Sequence, residues 1–237
     1  MFSGYDNFKP LIWAHRGFSA IYPQNSLRAF SEAVDAGAHG IECDLQLTRD
    51  HVVVIAHDSS IVGRGGHQLN WADLLWSDVA SGIPAGPPVA RLESLSELPA
   101  RTLLNLELKE QGALNPVLLN KTSEIIARNH WEERVLLSSF SKTLLDLCAE
   151  QHPQWPRAAL WASWLPDVSE FSRLVQVDAV HVASTFLREE TMQSYQQAGY
   201  ALACWDLDEK QTRLWIDRHI NGVIVDNPMW ALAPGSM

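Results

Sequence analysis

The chain has 237 residues, of which 46% are hydrophobic and 19% are charged, a composition that supports a full globular core. It carries 28 acidic and 18 basic residues, for a formal net charge of −10. This balance argues against a nucleic-acid-binding protein, because phosphate backbones are bound by clustered Lys and Arg. A small anionic substrate, held locally by a metal ion or an arginine, remains compatible with it.

The amino-terminal 17 residues lack the basic region and the apolar stretch of a signal peptide. No apolar run approaches the ~20 residues needed to span a bilayer. Cys43, Cys148 and Cys204 lie in apolar runs without motif spacing, and their odd number argues against a disulfide framework. We therefore expect buried reduced thiols in a cytoplasmic protein without stable membrane association. No sequence feature indicates an oligomeric state.

Strand-length apolar runs alternate with amphipathic segments along the chain. The nine runs are 11–15, 40–47, 52–57, 102–109, 135–140, 157–162, 179–184, 200–207 and 222–227. Helices are predicted between most of them, at 25–36, 115–130, 141–151, 188–198 and 208–218. In the first helix, Leu27, Phe30, Ala33 and Val34 share one face at helical spacing. Repeated strand–helix units in a chain of this length predict an α/β fold, an eight-stranded barrel of the TIM type.

The second and third runs are too close for a crossover helix, so we expect a ninth, antiparallel return strand. With residues 49–50 as the turn, the simplest register places residue 44 opposite residue 55 and Glu42 opposite His57. An open doubly wound sheet is the alternative fold. It is disfavoured because no Gly-rich phosphate loop follows the first strand.

Residues 58–92 interrupt the alternation and contain most of the turn-forming residues, including the run from Pro84 to Pro88. They predict an insertion after the third strand, with one short helix near 70–79. We expect one domain over residues 1–237 that contains this insertion.

Charged side chains alternate with apolar ones on two of the predicted strands. Glu42 and Asp44 share one face of the second strand, and Glu107 and Lys109 share one face of the 102–109 strand. A solvated edge-strand face would produce the same pattern. Inside a barrel, three carboxylates need a compensating cation, and an oxygen-lined site suits Mg²⁺ or Ca²⁺. Zinc is disfavoured because no Cys or His pair stands at ligand spacing.

His15 and Arg16 end the first strand, and the chemistry of barrel enzymes occurs at the carboxyl ends of strands. Arginine offers a planar fork for phosphate or carboxylate. His15 and His57 could divide the roles of acid and base near neutral pH. Trp205, at a late strand end, is the best aromatic candidate for cation–π contact with a choline head group.

The segment HRGFSAIYPQNSLRAFSEAVDAGAHGIECDLQLTRDHVVVIAHD, residues 15–58, resembles the signature of the glycerophosphodiester phosphodiesterase family. That signature combines His-Arg-Gly, Pro-Glu-Asn-Thr, Glu-x-Asp and His-Asp at fixed spacings. The later pieces LNLELK, LLSSF, CWDLD and NGVIVDNP resemble further family strands. The resemblance implies a PI-PLC-like phosphodiesterase barrel. Such an enzyme hydrolyses glycerophosphodiesters, such as glycerophosphocholine or glycerophosphoethanolamine, to sn-glycerol 3-phosphate and an alcohol.

The resemblance also implies roles by position. The residues fall into three groups: the catalytic pair His15 and His57, the divalent-cation ligands Glu42, Asp44 and Glu107, and the phosphate contacts Arg16 and Lys109. The chain departs from the family pattern at Gln24, where glutamate is usual, and at His51, where glycine is usual and a histidine should tolerate the turn less well. Which histidine is the base stays open, as does attack by water or by the glycerol hydroxyl.

Two other functions fit parts of the sequence. A phospholipid-cleaving lyase of the same barrel type would need an apolar or basic rim at a membrane, which the net charge of −10 disfavours. A catalytically inactive barrel could bind a phosphorylated metabolite. A decayed site should have lost some of its key residues, whereas both histidines and all three acids are present.

Overall fold

A computed structural model describes residues 10–82 and 88–232 of the chain. The strands are β1 (Leu11–His15), β2 (Gly40–Leu47), β3 (Val53–Ile55), β4 (Ser60–Val62), β5 (Gln68–Asn70), β6 (Leu103–Leu108), β7 (Val135–Ser139), β8 (Arg157–Trp161), β9 (Ala179–Ala183), β10 (Ala201–Trp205) and β11 (Gly222–Val225). The α-helices are α1 (Leu27–Asp35), α2 (Trp76–Ala80), α3 (Asn115–Asn129), α4 (Lys142–Gln151), α5 (Val168–Leu174), α6 (Glu189–Gln197) and α7 (Glu209–Asp217).

Eight parallel strands form a closed barrel, in the order β1, β2, β6, β7, β8, β9, β10, β11. Closure occurs at β1, which pairs with β11 on one side and with β2 on the other. The TIM-type prediction is therefore confirmed, and the open doubly wound sheet is excluded. The return strand β3 pairs antiparallel with β2, as expected.

The interior of the barrel is apolar at its amino end and charged at its carboxyl end. Trp13 is fully buried among small residues from the opposite strands, including Ala158, Ala179 and Ala203. A side chain at Gly40 would meet the Trp13 ring at 2.6 Å, so only glycine fits there. Trp13 is the register partner of Gly40, two residues before Glu42, so this layer fills the barrel below the acids, which lie at its open carboxyl end.

The register of the β2–β3 hairpin differs from the prediction by one residue. Leu45 faces Ile55 and Leu47 faces Val53, so residue 44 does not face residue 55. The cause is a three-residue loop, closed by the bond from Thr48 N to Val52 O at 3.0 Å. His51 occupies the left-handed position of this loop at φ 62°. The predicted strand pairing of Glu42 with His57 is wrong, because β3 ends at Ile55.

The segment between β3 and β6 contains a two-stranded hairpin, β4–β5, which was not predicted. A 3₁₀ turn at Trp71–Asp73 and the short helix α2 replace the single helix expected near 70–79. Trp71 packs against Val54 of β3 and attaches this segment to the barrel. Residues 83–87, with most of the run from Pro84 to Pro88, lie outside the described residues, as do residues 1–9.

The helices α1, α3, α4, α6 and α7 lie within two residues of their predicted bounds. The helix α5 was not predicted, because it is short and buries only Phe171. None of the helices in residues 10–82 and 88–232 is long and apolar enough to cross a membrane.

Candidate active site

A pocket opens at the carboxyl end of the barrel strands. One side of it is charged and is lined by His15, Arg16, Glu42, His57, Glu107 and Lys109. The other side is apolar and is lined by Phe140, Leu160, Trp205 and Ile224. Residues from seven barrel strands or the loops after them, and His57 after the return strand, therefore meet at one place, with charge and apolar surface on separate walls.

Three buried carboxylates lie at the charged wall. Glu42 and Asp44 project from β2, and Glu107 projects from the adjacent strand β6, where its Cα is the register partner of Asp44. Their exposed fractions are 4%, 1% and 7%. One oxygen from each residue lies within 4.8 Å of those of the other two. The structure thus brings together the three acids that the sequence marked as cation ligands.

The acids differ in their pKa values according to their neighbours. Burial raises the pKa of Glu42 well above its usual range, and the charges of Asp44 and Glu107 raise it further. Burial also raises the pKa of Glu107 to about 7. Burial acts in the same direction on Asp44, but Lys109, Asn25 and Arg16 together outweigh it and hold the pKa of Asp44 below its ordinary value.

Lys109 and Arg16 supply the positive charge of this cluster. Lys109 Nζ lies 2.8 Å from Asp44 Oδ1 and also donates to Glu107 Oε1. Arg16 Nε lies 3.4 Å from Asp44 Oδ2. Two cations face three buried carboxyl groups, so at least one of the acids has no cation to balance its ionised form. A hard, oxygen-only donor set of this kind fits Mg²⁺ or Ca²⁺.

A tight turn after β1 positions Arg16. Arg16 and Gly17 both have left-handed backbone conformations, at φ 55° and 83°. A Cβ at Gly17 would lie 2.6 Å from the backbone carbon of Ala29, so glycine is required where this turn contacts α1. The turn directs the Arg16 N–H to Glu42 Oε2 at 3.0 Å and lets Arg16 Nη1 donate to Gln24 Oε1 at 2.8 Å.

Asn25 is part of the site, although it was not predicted as a site residue. Its backbone N–H donates to Arg16 O at 2.9 Å, and its Nδ2 donates to Asp44 Oδ2 at 2.8 Å. The cap of α1 is Ser26, whose Oγ accepts from Ala29 N. Asn25 therefore ties the turn after β1 to the buried acids.

His15 is held by a carboxylate from the last barrel strand. Its Nδ1 lies 2.7 Å from Asp226 Oδ1, and Ser19 Oγ donates to the same oxygen at 3.0 Å. The hydrogen bond from His15 lowers the pKa of Asp226. With Nδ1 occupied, the Nε2 atom is left to face the pocket. Asp226 was not selected from the sequence, although it lies in the NGVIVDNP segment.

His57 lines the pocket beyond the end of β3. Its Nδ1 lies 2.8 Å from Asp58 Oδ1. Its backbone carbonyl accepts from Gln46 Nε2 at 3.1 Å, and Gln46 Oε1 accepts from Gln111 Nε2 at 2.7 Å. These two amide contacts fix the position of His57 at the pocket. The predicted strand register did not account for that position.

The apolar wall contains Trp205, as predicted, and Phe140, which was not predicted as a site residue. Their rings make an edge contact with centroids 6.1 Å apart. Trp205 Nε1 donates to His181 O at 3.2 Å, which orients the indole. Phe140 is 54% exposed and extends the wall to the pocket mouth.

Comparisons with known proteins identify the family of this chain. A family model described as the glycerophosphoryl diester phosphodiesterase family matches residues 15–229. The chain is 28% identical over 231 residues to a glycerophosphodiester phosphodiesterase of Caldanaerobacter subterraneus, covering 93% of this chain and 95% of that protein. A crystal structure of a glycerophosphodiester phosphodiesterase from Thermotoga maritima is 25% identical and superposes with a TM-score of 0.74, over 93% of this chain and 96% of that one. An Oleispira antarctica phosphodiesterase, solved with the product sn-glycerol-3-phosphate, shares the fold at 21% identity with a TM-score of 0.83, over 96% and 97% of the two chains.

Proposed function

This chain belongs to the glycerophosphoryl diester phosphodiesterase family and is an enzyme of that class, and we propose that it hydrolyses glycerophosphodiesters by divalent-cation-dependent His/His acid–base catalysis. The substrates would be esters such as glycerophosphocholine and glycerophosphoethanolamine, and the products sn-glycerol 3-phosphate and an alcohol. One observation carries the proposal, namely that two histidines line one pocket together with Glu42 and Glu107, which form a buried carboxylate triad with Asp44.

We propose Glu42, Asp44 and Glu107 as the ligands of one divalent cation, Mg²⁺ or Ca²⁺. Burial and the neighbouring carboxylates raise the pKa values of Glu42 and Glu107, which supports this assignment because a bound cation would stabilise the ionised acids. When bound, such a cation would supply Lewis-acid stabilisation of negative charge on the phosphate oxygens. Asn25 and Lys109 orient the Asp44 carboxylate in either case.

The two histidines would carry the proton transfers. One imidazole takes a proton from the attacking oxygen, which belongs to water or to the glycerol hydroxyl. The other imidazole gives a proton to the oxygen of the departing alcohol, so the P–O bond to that alcohol breaks without releasing an alkoxide. Each such role is typically worth about 10²- to 10⁴-fold in rate. The carboxylates at Nδ1 of His15 and His57 hold both rings for this task.

Arg16 and Lys109 would contact the phosphate. Both line the pocket and are already fixed by the buried acids, so little side-chain freedom is lost when the anion binds. Trp205 would contact the substrate from the apolar wall. The Oleispira protein, solved with sn-glycerol-3-phosphate, supports a site for the glycerophosphate half in this fold.

A coupled assay for sn-glycerol 3-phosphate release tests the proposal. The wild-type protein should release the product from glycerophosphocholine or glycerophosphoethanolamine, should lose activity in EDTA and should regain it with excess Mg²⁺ or Ca²⁺. His15→Ala and His57→Ala should each lower kcat by at least about 10²-fold without loss of fold. His130→Asn, at an exposed position behind α3, is the control and should keep the wild-type rate. Wild-type turnover in either active-site variant, or indifference to chelation, would contradict the scheme.

The exposed Phe140 favours a second candidate substrate class, the monoacylated glycerophosphodiesters. An acyl chain on the glycerol half could lie along Leu160, Trp205 and Phe140, which continue the apolar wall to the mouth. Phe140→Ser should then lower kcat/KM for a lysophospholipid more than for glycerophosphocholine. Equal losses for the two substrates would reject this candidate.

We further propose that residues 1–237 form one catalytic domain with an insertion at 58–92, and that the protein acts in the cytoplasm on small molecules, without nucleic acid or stable membrane partners. Buried, unpaired thiols at Cys43, Cys148 and Cys204 support a reducing compartment. The negative net charge supports the exclusion of nucleic acid.

A further inference from the structure

The guanidinium of Arg16 lies between a charged partner and a neutral one. Its Nε lies 3.4 Å from Asp44 Oδ2, and its Nη1 donates a hydrogen bond to Gln24 Oε1 at 2.8 Å. Because arginine offers only donors, the Gln24 amide presents its oxygen to Arg16, and it does so without a net charge. Gln24 is therefore an uncharged partner of a cation that lines the catalytic pocket.

The pocket has little positive charge with which to bind an anion. Within residues 10–82 and 88–232, Arg16 and Lys109 are the only lysine or arginine side chains that line it. The three buried acids face these two cations, and the carboxylates of Asp226 and Asp58 lie beside the two histidines. A further carboxylate next to Arg16 would pair with its guanidinium and would repel a phosphate group.

Gln24 lies close enough to the pocket for a charge at this position to act on the substrate. It lines a second cavity, between β3 and the β4–β5 hairpin, and His57 lines both this cavity and the catalytic pocket. Gln24 is exposed, so water and salt weaken the field of a charge placed there. That field still extends over roughly 8 Å at physiological ionic strength.

We propose that Gln24 is a positioning residue that sets the affinity of the site for anions. It holds the Arg16 guanidinium through an uncharged hydrogen bond and leaves the charge of Arg16 for the phosphate group. The inference rests on the proposed function, in which Arg16 contacts the phosphate. The family pattern has glutamate at this position, so glutamine makes the phosphate site of this chain more positive than the usual residue would.

Gln24→Glu tests the proposal because it adds one negative charge and keeps the length of the side chain and an oxygen for Arg16. The KM for glycerophosphomethanol, whose alcohol is uncharged, should rise about fivefold, with a smaller change in kcat. The Ki of sn-glycerol 3-phosphate at pH 8 should rise about 25-fold, because this product is a dianion and the repulsion doubles with the charge of the ligand. Added salt should reduce both changes.

Two further variants separate the charge from the hydrogen bond and from the net charge of the protein. Gln154→Glu is the matched control, since Gln154 is exposed in the turn between α4 and β8, at the amino end of the barrel. Its KM and Ki should equal the wild-type values. Gln24→Met removes the hydrogen bond to Arg16 without adding charge, so it should raise KM and Ki by similar factors, both smaller than those of Gln24→Glu.

The outcomes distinguish the role of Gln24 from the proposed function. Unchanged KM and Ki in Gln24→Glu, or equal losses in Gln24→Glu and Gln24→Met, would overturn the proposal. Calorimetric titration with sn-glycerol 3-phosphate measures the same shift in affinity without turnover. A wild-type protein that binds this product more tightly than Gln24→Glu does, but hydrolyses no ester, would reject the proposed function and support the role of Gln24.

Discussion

At the scale of single residues, the arrangement around His15 determines which ring nitrogen is available for chemistry. Asp226 binds Nδ1 at 2.7 Å and is itself held by Ser19, so the ring cannot turn freely in the pocket. A carboxylate in this position also favours the charged imidazole that forms during proton transfer. The function of His15 therefore depends on a residue 211 positions away in the chain.

Asp226→Asn should show whether Asp226 acts by orienting His15 or by helping to bind the substrate. The amide keeps the volume of the side chain but cannot favour the protonated imidazole, and it can present a donor to Nδ1 and reverse the tautomer. We expect kcat to fall by roughly 10²-fold or more with little change in KM. Steady-state kinetics with glycerophosphoethanolamine measures this split. Asp146→Asn, at an exposed ion pair on α4, is the control. An unchanged kcat would contradict the role given to Asp226.

His181 should make the protein less stable in acid. Burial lowers the pKa of this histidine to about 3 in the folded protein, whereas an unfolded histidine titrates near 6.5. The contribution of neutral His181 to the free energy of unfolding is therefore fully present above about pH 6.5. It is lost as the pH falls toward 3, because His181 then binds a proton in the unfolded chain but not in the folded protein. The loss is up to about 1.4 kcal/mol per pH unit in this window.

Urea unfolding of His181→Gln and the wild-type protein at pH 7 and pH 5 measures this effect. The wild-type protein should lose more unfolding free energy than the variant, by about 2 kcal/mol between the two values. His67→Gln, at an exposed histidine in the segment between β4 and β5, should behave as the wild type. Parallel losses in all three proteins would show that His181 is not responsible.

Part of the site could be predicted from single residues. Glu42, Asp44 and Glu107 were identified because alternation along a strand reveals which side chains share a face. Asp226, Asn25 and Phe140 were not identified as site residues. Their positions depend on turns after β1, β7 and β11, and the direction of a side chain in such a turn follows from backbone conformation and not from a repeating pattern.

At the scale of elements, the β2–β3 hairpin shows how one loop residue sets a register. The prediction assumed a two-residue turn, and the structure has a three-residue loop in which His51 is left-handed. The shift by one residue places Ile55 on the outer face with Leu45. His57 then reaches the pocket only because the chain leaves the strand and is held by Gln46.

His51→Gly should stabilise the protein, because glycine adopts the left-handed conformation without strain. The left-handed conformation costs a non-glycine residue roughly 1–2 kcal/mol, and glycine removes this cost. Glycine also has more conformational entropy in the unfolded chain, which offsets about half of the stability gained. We expect the free energy of unfolding to rise by about 0.5 kcal/mol in urea titration. Arg49→Gly, at a loop position that is not left-handed, should instead destabilise the protein. A loss of stability in both variants would contradict the loop assignment.

The strands of the barrel were all predicted, since most are runs of buried apolar residues and the other two, β2 and β6, alternate apolar with polar residues. The β4–β5 hairpin was not, because it is half exposed and carries no alternating apolar face. The helix α5 was missed for a related reason, since six of its seven residues remain at least partly exposed. Elements that bury little surface have few apolar residues at regular spacing, so they are hard to predict from a sequence.

At the scale of the whole molecule, barrel closure turns scattered charges into a site. Glu42 and Glu107 lie 65 positions apart, and Asp226 lies more than 200 positions from His15, yet parallel strands bring all their carboxyl ends to one rim. The apolar layer around Trp13 closes the barrel below this rim. The fold was predictable because a chain of this length with repeated strand–helix units can adopt few compact folds. The cavity between β3 and the β4–β5 hairpin was not predictable, because residues of that hairpin form one of its walls.

The central claim is that the three buried acids form one cation site beside two histidines. Calorimetric titration of chelator-treated protein with Mg²⁺ or Ca²⁺ measures this directly. We expect one equivalent to bind the wild-type protein, and binding to be lost or weakened at least tenfold in Glu107→Gln. Glu133→Gln, outside the pocket, should bind as the wild type does. An absence of binding in the wild-type protein, or equal affinity in Glu107→Gln, would contradict the account.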